Sequence, residues 1–191
     1  MRRSGEAEGI ASQELRLKPE DGQLLMLRGS IREALGRRFE AAEDLRRALK
    51  TEGVVMADPQ RQDAERRTAL LLLSEDPKKA REFLDGLPTV PRDRDFLIVM
   101  GRVDLATDDV RQAILHLRAA LKATGRDGTG VVRYYLAQAL LRSARADDLL
   151  EARTLFEVLE NEPLPDGYAL QPLREQLRQQ AATRAAVRDL D

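Results

Sequence analysis

The chain has 191 residues, of which 34% are charged and only 4% are aromatic, and its formal net charge is −1 at neutral pH. Because basic and acidic residues nearly balance, the composition excludes a strong bulk attraction to nucleic acids or anionic membranes. The sequence contains no cysteine, which excludes a disulfide framework and thiolate metal sites.

The N-terminal residues predict no targeting segment. Met1-Arg2-Arg3-Ser4-Gly5-Glu6 is followed by no apolar stretch, so we expect no cleavable signal. The most apolar window is residues 69–73, which is far shorter than a helix that spans a bilayer. We therefore expect a cytoplasmic protein that does not enter a membrane.

One pattern recurs four times along the chain: a small residue, an alanine further on, and apolar residues four and seven positions after that alanine. It reads Gly29/Ala41/Leu45/Ala48, Thr68/Ala80/Leu84/Leu87, Gly101/Ala113/Leu117/Ala120 and Ala137/Ala152/Phe156/Leu159. The step from the small residue to the alanine is 12 residues in the first three units and 15 in the fourth. This spacing is typical of helix-turn-helix repeats, which are stable only when they stack on their neighbours.

At these residues the chain resembles the tetratricopeptide repeat (TPR) family, which pairs Leu-Gly in a first helix with Ala-x-x-x-Phe in a second. Ala152 and Phe156 match the second half, Met100-Gly101 is nearest to the first half, and no unit has the family's tryptophan. The resemblance covers roughly residues 6–164. It implies an all-α fold, a right-handed superhelical solenoid of TPR-like repeats that ends in a C-terminal capping helix.

Prolines, glycines and acidic residues set the predicted boundaries. Gly36 is expected to end the first helix of its unit, and Pro77 to begin the second helix of the next. Asp108-Asp109 and Asp147-Asp148 are interpreted as caps of the helices that follow them. Within a single solenoid we expect a half-repeat or N-terminal cap at 6–20, repeats at 21–53, 61–88, 94–124 and 130–162, and a capping helix at 168–188.

The half-repeat has no first helix to pair with. This leaves two interpretations open, a fragment of a longer array or a lone helix that caps the N-terminus. The helix predicted near the C-terminus has Leu173, Leu177 and Ala181 on one stripe and a wide polar face. We interpret it as the element that covers the last apolar surface of the array.

No catalytic or metal-binding constellation is found in the sequence. His116 is the sole histidine, and no second ligand lies at helical spacing from it. The glycines at 125, 128 and 130 are not followed by the Gly-Lys-Ser/Thr that closes a phosphate loop. We therefore predict a protein that is not an enzyme and that uses no cofactor and no metal.

The resemblance does imply a partner groove. In TPR arrays the first helices line a concave surface that takes extended or helical peptides. Carried over by position, that groove comprises Gln23, Met26, Ser30, Glu33, Glu65, Ala69, Leu72, Ile98, Arg102, Leu105, Tyr134, Gln138, Leu141 and Arg142. Its mixture of apolar side chains with scattered charges implies an apolar or amphipathic peptide segment as the partner.

Three function classes remain open on the sequence. The first is a protein-interaction module or scaffold, either free-standing or part of a longer chain. The second is a self-assembling array, in which the N-terminal half-repeat stacks on the C-terminal helix of another copy. The third is a helical-repeat RNA binder, which needs basic residues clustered along one face. The balanced charge argues against a nucleic-acid partner and favours a protein or peptide.

Overall fold

The computed structural model describes residues 2–51, 57–88, 93–123, 129–143, 145–162 and 164–188. Over these ranges the chain forms ten α-helices and no strand, and neighbouring helices pack against each other. The all-helical part of the prediction is therefore confirmed. The chain divides into two compact units, Met1–Pro91 and Arg92–Asp191.

Unit 1 contains five helices, each packed against the next along the chain. They are α1 (Arg2–Leu17), α2 (Gly22–Ala34), α3 (Arg38–Lys50), α4 (Asp58–Glu75) and α5 (Pro77–Asp85). Leu15, Leu25 and Ala48 form one buried cluster that joins the first three helices. The N-terminal helix is thus packed on α2 by apolar contacts as well as by the ion pairs described below.

The helix ends of unit 1 follow from local chemistry. The Asp21 carboxylate accepts hydrogen bonds from the backbone N–H groups of Gln23 and Leu24, both at 3.0 Å, and so caps α2. Gly36 has a φ of +77°, the left-handed conformation that favours glycine after a helix. Pro77 begins α5 as predicted, behind a cap from Asp76. α4 begins at Asp58, a few residues earlier than the predicted start at residue 61.

Unit 2 also contains five helices: α6 (Arg94–Ala106), α7 (Val110–Ala123), α8 (Thr129–Ser143), α9 (Ala146–Leu159) and α10 (Leu170–Arg188). The helices α6 to α9 pack in chain order, and α6 also contacts α8. The C-terminal helix α10 packs against both α8 and α9. Leu173 of α10 is buried in the same apolar cluster as Phe156 and Leu159.

The same close approach of two helices occurs in both units. A methyl group built on Gly101 of α6 would lie 2.5 Å from Leu117 Cγ of α7. One built on Gly29 of α2 would lie 3.1 Å from Leu45 Cγ of α3. In both pairs the glycine and the leucine are 16 residues apart. The glycine therefore lets the two helices of each pair come together over a buried leucine.

Of the two helix caps predicted in unit 2, one is confirmed and one is wrong. Asp109 caps α7 as predicted, because its carboxylate accepts from the Gln112 N–H at 3.1 Å. The prediction that Asp147-Asp148 caps the next helix is wrong. α9 already begins at Ala146, and Asp148 accepts from the Ser143 hydroxyl at 2.6 Å within the first turn. The predicted ends of two repeats, at residues 53 and 124, lie outside the described ranges.

Candidate functional site

The predicted groove residues of α2 lie at or near the surface of unit 1. Gln23 is exposed, and Met26, Ser30 and Glu33 are half-buried. Arg67 of α4 donates to Glu33 Oε2 at 2.9 Å from Nε and to Ser30 Oγ at 3.0 Å from Nη2. The negative charge that Glu33 was expected to present to a partner is therefore already compensated by the neighbouring helix.

The three predicted groove residues of α4 are buried. The exposed fraction is 3% for Glu65, 0% for Ala69 and 4% for Leu72. Glu65 and Leu72 border a cleft with residues of α3 and α5, whereas Arg67 contacts α2. Arg67 thus lies on the face of α4 that contacts α2. Glu65, Ala69 and Leu72 expose little surface to which a partner could bind.

In unit 2 the predicted groove residues divide in the same way. Ile98 and Arg102 of α6, and Tyr134 and Gln138 of α8, are half-buried. Leu105 is 5% exposed and Leu141 is fully buried, which makes both part of the apolar core. Gln180 of α10 donates to the Leu141 carbonyl at 2.8 Å, so the C-terminal helix lies against that part of α8.

Arg142 is exposed but already has two acceptors. Its Nη1 donates to the Leu105 carbonyl at 2.5 Å, and its Nη2 donates to Asp108 Oδ1 at 2.6 Å. Both acceptors lie at or just after the end of α6, where helical carbonyls have no partner within the helix. Arg142 therefore joins the end of α8 to the end of α6 and satisfies one of those carbonyls.

The most distinctive feature of unit 2 is a cluster of three tyrosines. The ring centroid of Tyr134 lies 5.5 Å from that of Tyr135 and 5.1 Å from that of Tyr168, and the Tyr135 and Tyr168 centroids are 5.8 Å apart. All three pairs are nearly perpendicular, the edge-to-face geometry that aromatic rings prefer. We call Tyr134, Tyr135, Tyr168 and Arg102 together the aromatic surface.

Arg102 completes the aromatic surface from the neighbouring helix. Its guanidinium carbon lies 5.0 Å from the Tyr135 ring centroid, within the range of a cation–π interaction. Burial raises the pKa of Tyr135, and a hydrogen bond with Tyr168 raises it further. Burial also raises the pKa of Tyr134. The hydroxyl groups of Tyr134 and Tyr135 therefore stay neutral at physiological pH. All four side chains of the aromatic surface are half-buried.

Each unit also contains a buried carboxylate that pairs with a basic side chain of the neighbouring helix. Asp44 of α3 accepts from Arg28 Nη2 at 2.6 Å and from Arg32 Nη1 at 2.8 Å. Asp104 of α6 is fully buried, and its Oδ2 lies 2.6 Å from His116 Nδ1 of α7. Both the Arg32–Asp44 and the Asp104–His116 pairs are 12 residues apart. The two pairs occupy equivalent positions in their helix pairs. In α2–α3 the acidic residue is on the second helix, whereas in α6–α7 it is on the first.

Glu8 extends the first of these networks to the N-terminal helix. It accepts from Arg32 Nε at 3.0 Å and from Arg37 Nη1 at 2.7 Å. Arg32 therefore bridges the carboxylates of Glu8 and Asp44. These side chains connect α1, α2 and α3, and each oxygen of the Glu8 and Asp44 carboxylates accepts from at least one arginine. The arrangement stabilises helix packing and contains no exposed nucleophile or general base.

Sequence reasoning missed several of these contacts. Tyr168 lies between α9 and α10, and nothing in its local sequence indicates that it meets α8. The Asp104–His116 pair did leave a signal, because 12 residues is also the step from the small residue to its alanine in the first three units. A residue pair at that spacing faces across one helix pair. The same reasoning would have found Arg32 and Asp44.

Within the described residues no cluster of three or more histidine, aspartate or glutamate side chains is arranged to hold a metal ion. None of the helices over the same ranges is long and apolar enough to cross a membrane. Comparison with models of known protein families, with curated proteins and with solved structures returned no match.

Proposed function

We propose that this protein is a non-enzymatic interaction module that binds a short apolar or amphipathic segment of a partner protein on the face formed by α6 and α8. The observation that carries the proposal is the aromatic surface, in which three tyrosines and Arg102 meet while remaining partly open to solvent. Tyrosine and arginine are enriched among residues that dominate binding energy at protein interfaces. They bring a large contact area and retain hydrogen-bonding groups.

The charged side chains of the predicted groove already have partners within the protein, which supports an apolar or amphipathic binding partner. Glu33 is compensated by Arg67, and Arg142 by the Leu105 carbonyl and Asp108. Arg102 lies over the Tyr135 ring. A strongly charged peptide would have to displace these internal partners, whereas apolar side chains could pack on Ile98 and Tyr134 without that penalty.

The finer architecture belongs to the same proposal. We infer that the helix pairs are TPR-like repeats of a right-handed solenoid, and that α6 and α8 are first helices on its concave side. The recurrence of one glycine–leucine approach in α2–α3 and α6–α7, at the same spacing, supports this reading. A scaffold role in which several segments bind along the array would follow from it.

The proposal is tested by selecting peptides from a displayed random library against the full chain, and by measuring the affinity of the selected peptides. We expect enrichment of segments with large apolar residues at helical or alternating spacing. Tyr134→Ala should weaken binding by roughly thirtyfold, the effect of a residue worth about 2 kcal/mol at an interface. Arg102→Ala should weaken it less and reduce its salt dependence.

The matched control is Leu115→Ala. Leu115 lies on α7, is 52% exposed, and does not belong to the aromatic surface. It should leave both affinity and melting temperature unchanged. If no peptide is enriched, or if the selected peptides bind the Tyr134 variant as well as the wild type while that variant remains folded, the proposal is wrong.

A second candidate function, self-association through the terminal helices, is favoured by one observation. Ile10 and Leu17, two turns apart on α1, have exposed fractions of 66% and 76%. A concentration series in light scattering tests it, with Ile10→Lys and Leu17→Lys as the variants. A mass that stays at one chain throughout the series would rule out this role.

A further inference from the structure

Unit 1 contains a cleft that the proposed function does not use. Side chains of α3, α4 and α5 border it, together with the turn that follows α5, and it encloses about 530 Å³. Sites for small organic ligands typically measure about 300–1,000 Å³ and combine an apolar lining with a few polar groups. The size of this cleft therefore falls within the range of a small-molecule site.

The apolar part of the lining comes from two phenylalanines and the residues next to them. Phe39 lies in the first turn of α3 and is 48% exposed, an unusual state for a side chain of this size in a chain with few aromatic residues. Phe83 of α5 and Leu87 of the following turn border the cleft with it, and so does Leu49. These side chains provide the kind of surface that a flat or elongated apolar body covers.

The polar part of the lining is richer in cations than in anions. Arg46, Lys50, Arg61 and Lys79 border the cleft. The Lys79 ammonium lies over the Phe39 ring at 5.5 Å from its centroid, so it stands beside the apolar lining. The Arg46 Nε is buried and makes no hydrogen bond to any described group, which leaves that guanidinium with an unused donor.

Among the described residues, the lining has three acids, Glu43, Glu65 and Glu82, against its four cations. Glu43 is paired with Arg46 at 2.8 Å. Glu65 is nearly buried, and its Oε1 lies 3.9 Å from Arg61 Nη1, which is longer than a hydrogen bond. Burial raises the pKa of Glu65, and the charge of Arg61 opposes this shift. With Glu43 beside Arg46 and Glu65 near Arg61, the other charged side chains of the lining are Lys50, Lys79 and Glu82, so the cleft has an excess of one positive charge that favours an anion.

We propose that this cleft binds a small amphipathic organic anion, with its apolar body against Phe39 and Phe83 and its acidic group among Arg46, Lys50 and Lys79. The apolar lining alone would accept a neutral molecule, and the cations alone would attract any inorganic anion. Both features are on one cleft, so the ligand is expected to need both an apolar body and a negative charge.

Anilinonaphthalene sulfonate is the first probe, because it joins an aromatic body to one anionic group and becomes fluorescent in apolar surroundings. Titrated into the full chain, it should show one saturable class of site. Dodecanoate, an aliphatic carboxylate, should displace it competitively. Phenylnaphthylamine has the same aromatic body without the sulfonate, and should bind at least about tenfold more weakly.

Two substitutions assign the signal to the cleft. Phe39→Ser removes a half-exposed apolar surface, and Lys79→Glu reverses a charge beside it. Each should weaken the binding of anilinonaphthalene sulfonate roughly five- to tenfold or more, with little change in melting temperature because both side chains lie at the surface. The controls are Leu115→Ser and Lys122→Glu on α7 in unit 2, both exposed, which should leave the affinity unchanged.

Three results would overturn the proposal. The first is the absence of saturable binding by both anions. The second is equal binding of the neutral analogue, or equal effects of the control and cleft substitutions. The third is saturable binding of a short acetylated peptide, with leucine and phenylalanine between two aspartates, when neither small anion binds. That last result would identify the cleft as a contact site for an acidic protein segment instead.

Discussion

Gly29 and Gly101 hold equivalent places in α2 and α6, yet they have different clearances. At Gly101 a methyl group would meet the buried Leu117 at 2.5 Å, whereas at Gly29 the distance to Leu45 is 3.1 Å. Alanine gains up to about 1 kcal/mol over glycine within a helix. Overpacking a rigid site typically costs about 1–3 kcal/mol. The two positions should therefore respond differently to the same substitution.

We expect Gly101→Ala to lower the free energy of unfolding by about 1–2 kcal/mol, because the clash at Leu117 exceeds the gain in helix propensity. Gly29→Ala should change it by less than about 0.5 kcal/mol, since the two effects nearly cancel there. Urea denaturation of the two variants, compared at equal m-values, measures the difference. Equal destabilisation at both positions would contradict the difference between these two clearances.

A second prediction concerns the buried carboxylate of Asp44. Asp44→Ala leaves Arg28 without its carboxylate partner and leaves Arg32 with Glu8 alone, in a site where the two arginine side chains are 13% and 18% exposed. Breaking a buried ion pair from one side typically costs about 3–5 kcal/mol. Thermal or urea unfolding should show a loss of this order.

The matched control for Asp44 is Asp108→Asn. Asp108 also pairs with an arginine, but its side chain is 81% exposed and its φ is +66°, a conformation that asparagine tolerates. Its substitution should cost less than about 1 kcal/mol. A comparable loss in both variants would mean that burial does not govern the strength of these pairs.

At the scale of the helix, the best-predicted ends are those with a local chemical cause. α5 begins at Pro77, α6 begins at the predicted start of its repeat, and α7 follows the predicted cap at Asp109. Pro77 and Asp109 act through the residues next to them, so their effect can be predicted from the local sequence. The start of α9 was misjudged because Asp147 and Asp148 also suit a first helical turn, where acidic residues interact favourably with the helix dipole. The sequence alone does not distinguish an acidic residue that caps a helix from one that lies in its first turn.

The candidate site was less predictable than the helices, for a reason that belongs to packing. The groove positions of α2, and most of those of α6 and α8, do reach the surface, since the helical period places them on a face beside that of the packing glycine or alanine. Leu141 is buried because α10 returns over α8, and Leu72 because α4 meets α3 and α5. The sequence around a buried residue does not show which other helices will cover it.

A third prediction concerns the attachment of α1. The hydrogen bond from Arg32 lowers the pKa of Glu8 most, burial opposes it, and the charges of Arg37 and Arg32 lower it further. A carboxylate whose pKa is lower in the folded state stabilises that state above its unfolded pKa of about 4.3. This stability is lost as the pH falls through the folded pKa.

Hydrogen exchange of α1 backbone amides should therefore accelerate as the pH falls below about 4, beyond the intrinsic change in exchange chemistry. Glu8→Gln should remove most of this extra pH dependence and weaken α1 protection at neutral pH. Amides of α7 provide the internal reference. If Glu8→Gln leaves the acid-dependent opening of α1 intact, the Glu8 network does not control its attachment.

For the whole molecule, two compact units predict that damage to one leaves the other folded. Deleting α10 from Leu170 onward removes Leu173 from the core cluster of unit 2, a burial worth roughly 1.5–3 kcal/mol for one leucine. Amides of α8 and α9 should then exchange faster, while those of α2 and α3 keep their protection. Uniform loss of protection in all helices would show that the chain unfolds as one cooperative body.

The placement of the tyrosines also makes the protein its own spectroscopic reporter. The chain has three tyrosines and no tryptophan, and all three tyrosines belong to the cluster in unit 2. Tyrosine fluorescence therefore reports on unit 2 alone, because the aromatic side chains that line the cleft of unit 1 are phenylalanines. The tyrosine fluorescence of the unlabelled protein would change when a segment binds to the aromatic surface. It would not change when an anion binds in the cleft.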